Sequence, residues 1–140
     1  MLLAMGACTE DPPVEPPADS DREALEAARE AEAAALAAME GWEARTDASA
    51  VAPTEARTVV IAHVTALDDA LSATPAPSPT GSESLERVPA PSTEQVVALL
   101  DDAAGQHTRA LRTSSPEISP LLASIAASDA ALAAAIRRSD

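Results

Sequence analysis

Proline placement constrains this 140-residue chain most strongly, because a proline inside a helix removes an amide donor and clashes with the preceding turn. Of the 12 prolines, Pro12, Pro13, Pro16 and Pro17 lie near the N-terminus, and Pro75, Pro77, Pro79, Pro89 and Pro91 lie between residues 74 and 92. Pro53, Pro116 and Pro120 stand where a helix can begin, the position at which a missing N–H costs nothing. Four helices are therefore predicted, over about residues 21–46, 54–73, 93–113 and 120–138.

Each of these stretches carries an apolar stripe at the helical period. In the first, Leu25, Ala28, Ala35, Leu36 and Met39 share a face, and Ser20 with Glu23 forms a capping box at its start. Trp42 is expected to cap the core at the far end of this helix, and Glu43 to be solvated. The second aligns Ala56, Val60, Val64, Leu67 and Leu71. In the third, Val96, Leu100, Ala103, Ala110 and Leu111 align behind a Ser92/Gln95 capping box. The fourth begins at Ser119-Pro120, aligns Leu121, Ile125, Leu132 and Ile136, and ends in Arg137-Arg138, where cations suit the helix dipole.

Composition narrows the fold class further. Leu, Ile and Val together number 25, there is no Phe or Tyr, and Trp42 is the sole aromatic residue. Strands draw on β-branched and aromatic side chains, so an all-β domain is excluded. Low large-apolar content with a formal charge of -14 is also a signature of disorder. Four capped, amphipathic segments are not. The expected fold is all-α, an antiparallel four-helix bundle in which alanine supplies helix propensity and close interhelical approach. The long Pro-rich connection over residues 74–92 reaches roughly 60 Å if extended, more than the roughly 33 Å of a 22-residue helix. It can either cross over along the bundle or loop out at one end.

The charge excludes several functions. With 23 acidic residues, nine Arg and no Lys, the chain lacks the basic footprint of a nucleic-acid binder, and one aromatic residue cannot stack successive bases. Residues 9–47 hold 12 of the acids and three Arg, so the expected acidic, Pro-rich spacer (residues 9–19) and first helix carry most of the excess. No stretch of 18 apolar residues is expected to cross a bilayer.

The residues MLLAMGAC form an apolar stub ending in small residues and the sole cysteine, Cys8. Met5-Gly6-Ala7-Cys8 resembles the bacterial lipobox, whose cysteine is diacylated, with Met where Leu is commonest. The stub has no basic n-region, so the full signal is expected to start upstream. The expected compartment is the extracytoplasmic face of the cell membrane, with Cys8 as the lipid anchor. The other reading is a stray thiol in a cytosolic protein.

Polar residues that interrupt the apolar stripes are the candidate functional groups. At 100° per residue, Glu32 falls within the Leu25–Leu36 face, and His63 lies at the edge of the Val60–Leu67 face. His107 is central between Val96 and Ala110, and Asp129 lies between Ile125 and Leu132. Each helix thus aims one candidate ligand inward. Buried carboxylates and imidazoles pair, neutralise or bind a metal. Two readings follow: a polar layer that fixes helix register, or a site for one Fe or Zn ion, which suit His and carboxylate donors.

The segments EARTVVIAHVTALDDAL (residues 55–71) and SPLLASIAASDAALAAAIRR (residues 119–138) resemble the ferritin-like domains of unassigned function found in extracytoplasmic actinobacterial proteins. The resemblance spans about residues 20–139 and implies a ferritin-like bundle with inward Glu and His ligands. The Glu-x-x-His pattern of ferritin-like di-iron sites is missing: Val60 stands three residues before His63, and Leu132 three after Asp129.

Other chemistries lack their parts. There is no Gly-rich phosphate loop, no thiol free of the lipid reading, and no orienting acid to join His107 with Ser114 or Ser115 in a triad. The acidic run lacks calcium-loop spacing. The expected role is non-catalytic: a lipid-anchored binding or interaction module, without catalytic residues and without a required cofactor, or a bundle that binds one metal ion.

Overall fold

The computed structural model describes residues 18–43, 53–73 and 91–138. They form four helices, α1 (Ala18–Glu43), α2 (Pro53–Ala73), α3 (Thr93–Ala110) and α4 (Ser119–Arg137), with no strand among the described residues. Cys8 and its motif, most of the acidic spacer, residues 44–46 and residues 74–90 lie outside the described residues, as does the side chain of Glu43.

The ends of the helices follow local chemistry, with three departures from expectation. Helix α1 begins at Ala18, so Ser20 and Glu23 already lie inside it. Asp19 and Asp21 in its first turn complement the dipole. Helix α3 starts as predicted: the Ser92 amide donates to Gln95 Oε1 (2.8 Å) and the Gln95 amide donates to Ser92 Oγ (3.3 Å). It ends at Ala110 rather than 113, where the Thr113 and Ser114 amides both turn back to the Ala110 carbonyl ahead of Pro116. Ser119 opens α4 without capping it, and its hydroxyl donates instead to the Ser115 carbonyl (2.7 Å).

Helix α3 packs most extensively on α4 and α1 on α2, α1 also packs on α3, and α2 touches α4 only lightly. Arg29 pairs with Asp68 (2.6 Å) and Arg57 with Glu40 (3.1 Å) between α1 and α2, and Arg137 pairs with Asp101 between α4 and α3. The ends of α1 are tied to α3: Trp42 Nε1 donates to Thr93 Oγ1 (3.3 Å), and the Ser115 amide beyond α3 donates to Asp21 Oδ1 (2.8 Å).

The core divides into two clusters. One holds Met39, Trp42, Val60, Leu100 and Ile136; the other holds Leu25, Ala28, Leu67, Leu122 and Ile125. The buried face of α4 is Leu122, Ile125, Ala126, Asp129, Ala133 and Ile136, so Leu121 and Leu132 flank the core rather than lead it. Ala126 and Ala133 lie on that buried face, and the half-buried Leu121 and Leu132 pack against the two clusters from its edges. Helix α4 is also long and apolar enough, by length and composition, to cross a membrane, contrary to expectation. Its many alanines count as apolar although few of them carry side-chain volume, and its one interior charge, Asp129, is buried in the bundle.

Candidate metal centre

Between the two apolar clusters lies a polar layer. Glu32 stands between Ala28 and Ala35 on α1, His63 between Val60 and Leu67 on α2, His107 beyond Ala103 and Ala104 on α3, and Asp129 between Ile125 and Ala133 on α4. Each is three or four positions from a core residue, so helical periodicity turns all four inward. The small alanines of α1, α3 and α4 leave room for them. Glu32, His107 and Asp129 are fully buried, and the His63 side chain is 12% exposed. The structure brings together all four residues singled out in the sequence.

The contacts form a closed ring. Glu32 Oε2 lies 3.0 Å from His63 Nδ1 and Glu32 Oε1 lies 3.0 Å from His107 Nε2, both within hydrogen bonds. Asp129 Oδ1 lies 3.2 Å from the same His63 nitrogen, and Oδ2 lies 3.5 Å from the same His107 nitrogen. Neither Asp129 oxygen completes a hydrogen bond, and His107 Nδ1 is buried without a partner as well. Glu32, His63 and Asp129 each offer a donor atom within 4.8 Å of the other two, and His107 meets the same two carboxylates from α3.

Burial would raise the Glu32 pKa, but hydrogen bonds from His107 and His63 outweigh it and hold the carboxyl at about 2. Burial likewise disfavours the His63 cation, yet the Asp129 and Glu32 carboxylates overcome that effect and raise its pKa to about 9. Asp129 is pushed upward, by burial first and by the Glu32 charge beside it. The layer therefore holds ionised Glu32 against protonated His63, while Asp129 resists ionisation.

The donors fit a transition ion. Ligands at about 2.0–2.2 Å from a tetrahedral ion lie roughly 3.3 Å from one another; His63 Nδ1 lies 3.0 Å from Glu32 Oε2 and 3.2 Å from Asp129 Oδ1, and His107 Nε2 approaches the other oxygen of each carboxylate, at 3.0 and 3.5 Å. Two imidazole nitrogens and two carboxylates suit Zn or Fe. Ligation requires His63 to give up its proton.

Neighbouring hydroxyls take no part. Ser114 Oγ lies 3.0 Å from Ser119 Oγ in the α3–α4 turn, whereas His107 is turned to Glu32. Among the described residues no other group of His, Cys, Asp or Glu brings three donors this close. Comparison of the chain with protein-family models, with curated proteins and with solved structures finds no match to any of them.

Proposed function

We propose that this chain is a non-catalytic helical bundle whose ligand is a single divalent transition ion, bound by Glu32, His63, Asp129 and His107. One observation carries the reading: Asp129 is fully buried, neither of its oxygens is hydrogen-bonded, and both lie beside imidazole nitrogens. In a layer serving only to fix helix register, Asp129 has the His63 ion pair at 3.2 Å and burial pushes its carboxyl toward the neutral form; an ion would give both of its oxygens a partner. Glu32, His63 and Asp129 form the three-donor group, and His107 beside the same two carboxylates would supply a fourth protein donor, which supports a structural rather than a catalytic ion.

The antiparallel, ferritin-like arrangement is part of the proposal. It is supported by the pairing of early α1 with late α2 (Arg29–Asp68), late α1 with early α2 (Glu40–Arg57) and early α3 with late α4 (Asp101–Arg137). The site departs from the paired Glu-x-x-His motifs of ferritin-like di-iron proteins, which accords with one ion rather than two. Anchoring through Cys8 rests on Met5-Gly6-Ala7-Cys8 and its place before a Pro-rich acidic segment. Cys8→Ala is expected to release the protein from the membrane fraction, and a wild type already soluble in the cytoplasm would refute the anchor. The site itself is tested by reconstitution with Zn, Fe or Mn followed by elemental analysis, with about one equivalent expected.

A further inference from the structure

The four helices are unevenly joined. Strong contacts run from α2 to α1, from α1 to α3 and from α3 to α4, and the circuit is nearly open between α2 and α4. The polar layer bridges that weak seam: His63 belongs to α2, Asp129 to α4, and their charged atoms meet at 3.2 Å. His63 is also the only one of the four whose side chain reaches solvent. Beside the layer, Leu67 of α2 shares a cluster with Leu122 and Ile125 of α4.

We propose that the ion acts as a clasp across the α2–α4 seam, so that its binding controls whether α2 and α4 stand closed or apart. The inference rests on the metal reading above. A closed seam offers the ion donors from both sides. An open one parts His63 of α2 from Asp129 of α4 while Glu32 and His107 stay joined across the packed α1 and α3, so the ion loses a donor from one side of the seam. That difference in affinity is what lets a ligand shift a conformational equilibrium. Without the ion, two carboxylates share the layer, and the light packing between α2 and α4 is what resists separation.

The test is a pair of spin labels across the seam, at exposed Thr65 on α2 and exposed Ala130 on α4, with Cys8→Ala removing the native thiol. A control pair spans α1 and α3 at exposed Ala37 and Ala98. Zn binding is measured on the same samples. Zn is expected to shorten and narrow the α2–α4 distance distribution while leaving the α1–α3 distribution unchanged, and His63→Gln is expected to abolish the response. One bound Zn per chain with an unchanged α2–α4 distribution overturns the clasp and leaves the metal site standing. Equal narrowing across both pairs also overturns it, since that is general stabilisation of the fold. Absence of Zn binding overturns the metal reading and the clasp together.

Discussion

Asp129 is the residue at which the proposed ligand role and a purely structural polar layer make different predictions. Its carboxyl is raised by burial and by Glu32, so the ion-free fold bears a cost at this position that neutralisation relieves. Asp129→Asn is accordingly expected to raise the melting temperature of the ion-free protein while weakening Zn binding by more than about tenfold; thermal melts with and without Zn measure both. His63 and Glu32 set the pH dependence. His63 is raised from 6.5 to about 9, so its contribution is complete below pH 6.5 and is lost as pH rises through 9. Glu32 is lowered from 4.5 to about 2, so its contribution is present above pH 4.5 and is lost as pH falls through 2. The upward shift of Asp129 adds to the decline at rising pH. Ion-free stability from this layer is thus expected to peak between about pH 4.5 and 6.5. Zn competes with the His63 proton, so the rise in melting temperature that it produces should be larger at pH 8.5 than at pH 5.5. All four layer residues were legible in the sequence because each interrupts an apolar stripe at a position that 100° per residue turns inward. The missing hydrogen bonds of Asp129 were not legible, since they depend on how two imidazole rings from other helices are turned.

At the scale of elements, helix starts were legible where a side chain closes the first turn and less so where proline sets it. The Ser92/Gln95 box reads directly from spacing, and Ser92→Ala is expected to cost about 1 kcal/mol in a denaturant titration. The Ser20/Glu23 pair has the same spacing but lies inside α1, which begins at Ala18. The core face of α4 was hardest to read. With so many alanines, the stripe through Leu121 and Leu132 and the one through Leu122 and Ala133 differ little in apolarity. The structure buries the second. Trp42 closes one end of the bundle, 2% exposed and hydrogen-bonded to Thr93. Trp42→Ala is expected to cost about 3–5 kcal/mol, which would leave a domain this size barely folded by circular dichroism.

The whole molecule combines a core of modest volume with a large negative charge. Its -14 is offset locally by pairs such as Arg29–Asp68 and Arg57–Glu40, whose side chains are about half exposed and contribute little individually. Raising ionic strength from about 10 mM to about 300 mM should therefore increase the ion-free melting temperature, because screening relieves self-repulsion more than it weakens these pairs. The layer between the two apolar clusters holds two carboxylates, and in the proposed reading a divalent cation offsets both in place of the protons on His63 and Asp129. Quantitative metal analysis of purified, reconstituted protein tests this most directly, with a Glu32→Gln/Asp129→Asn double variant beside it. About one equivalent of Zn, Fe or Mn per chain, lost in the variant, is the predicted result; less than about 0.1 equivalent in the wild type would contradict it.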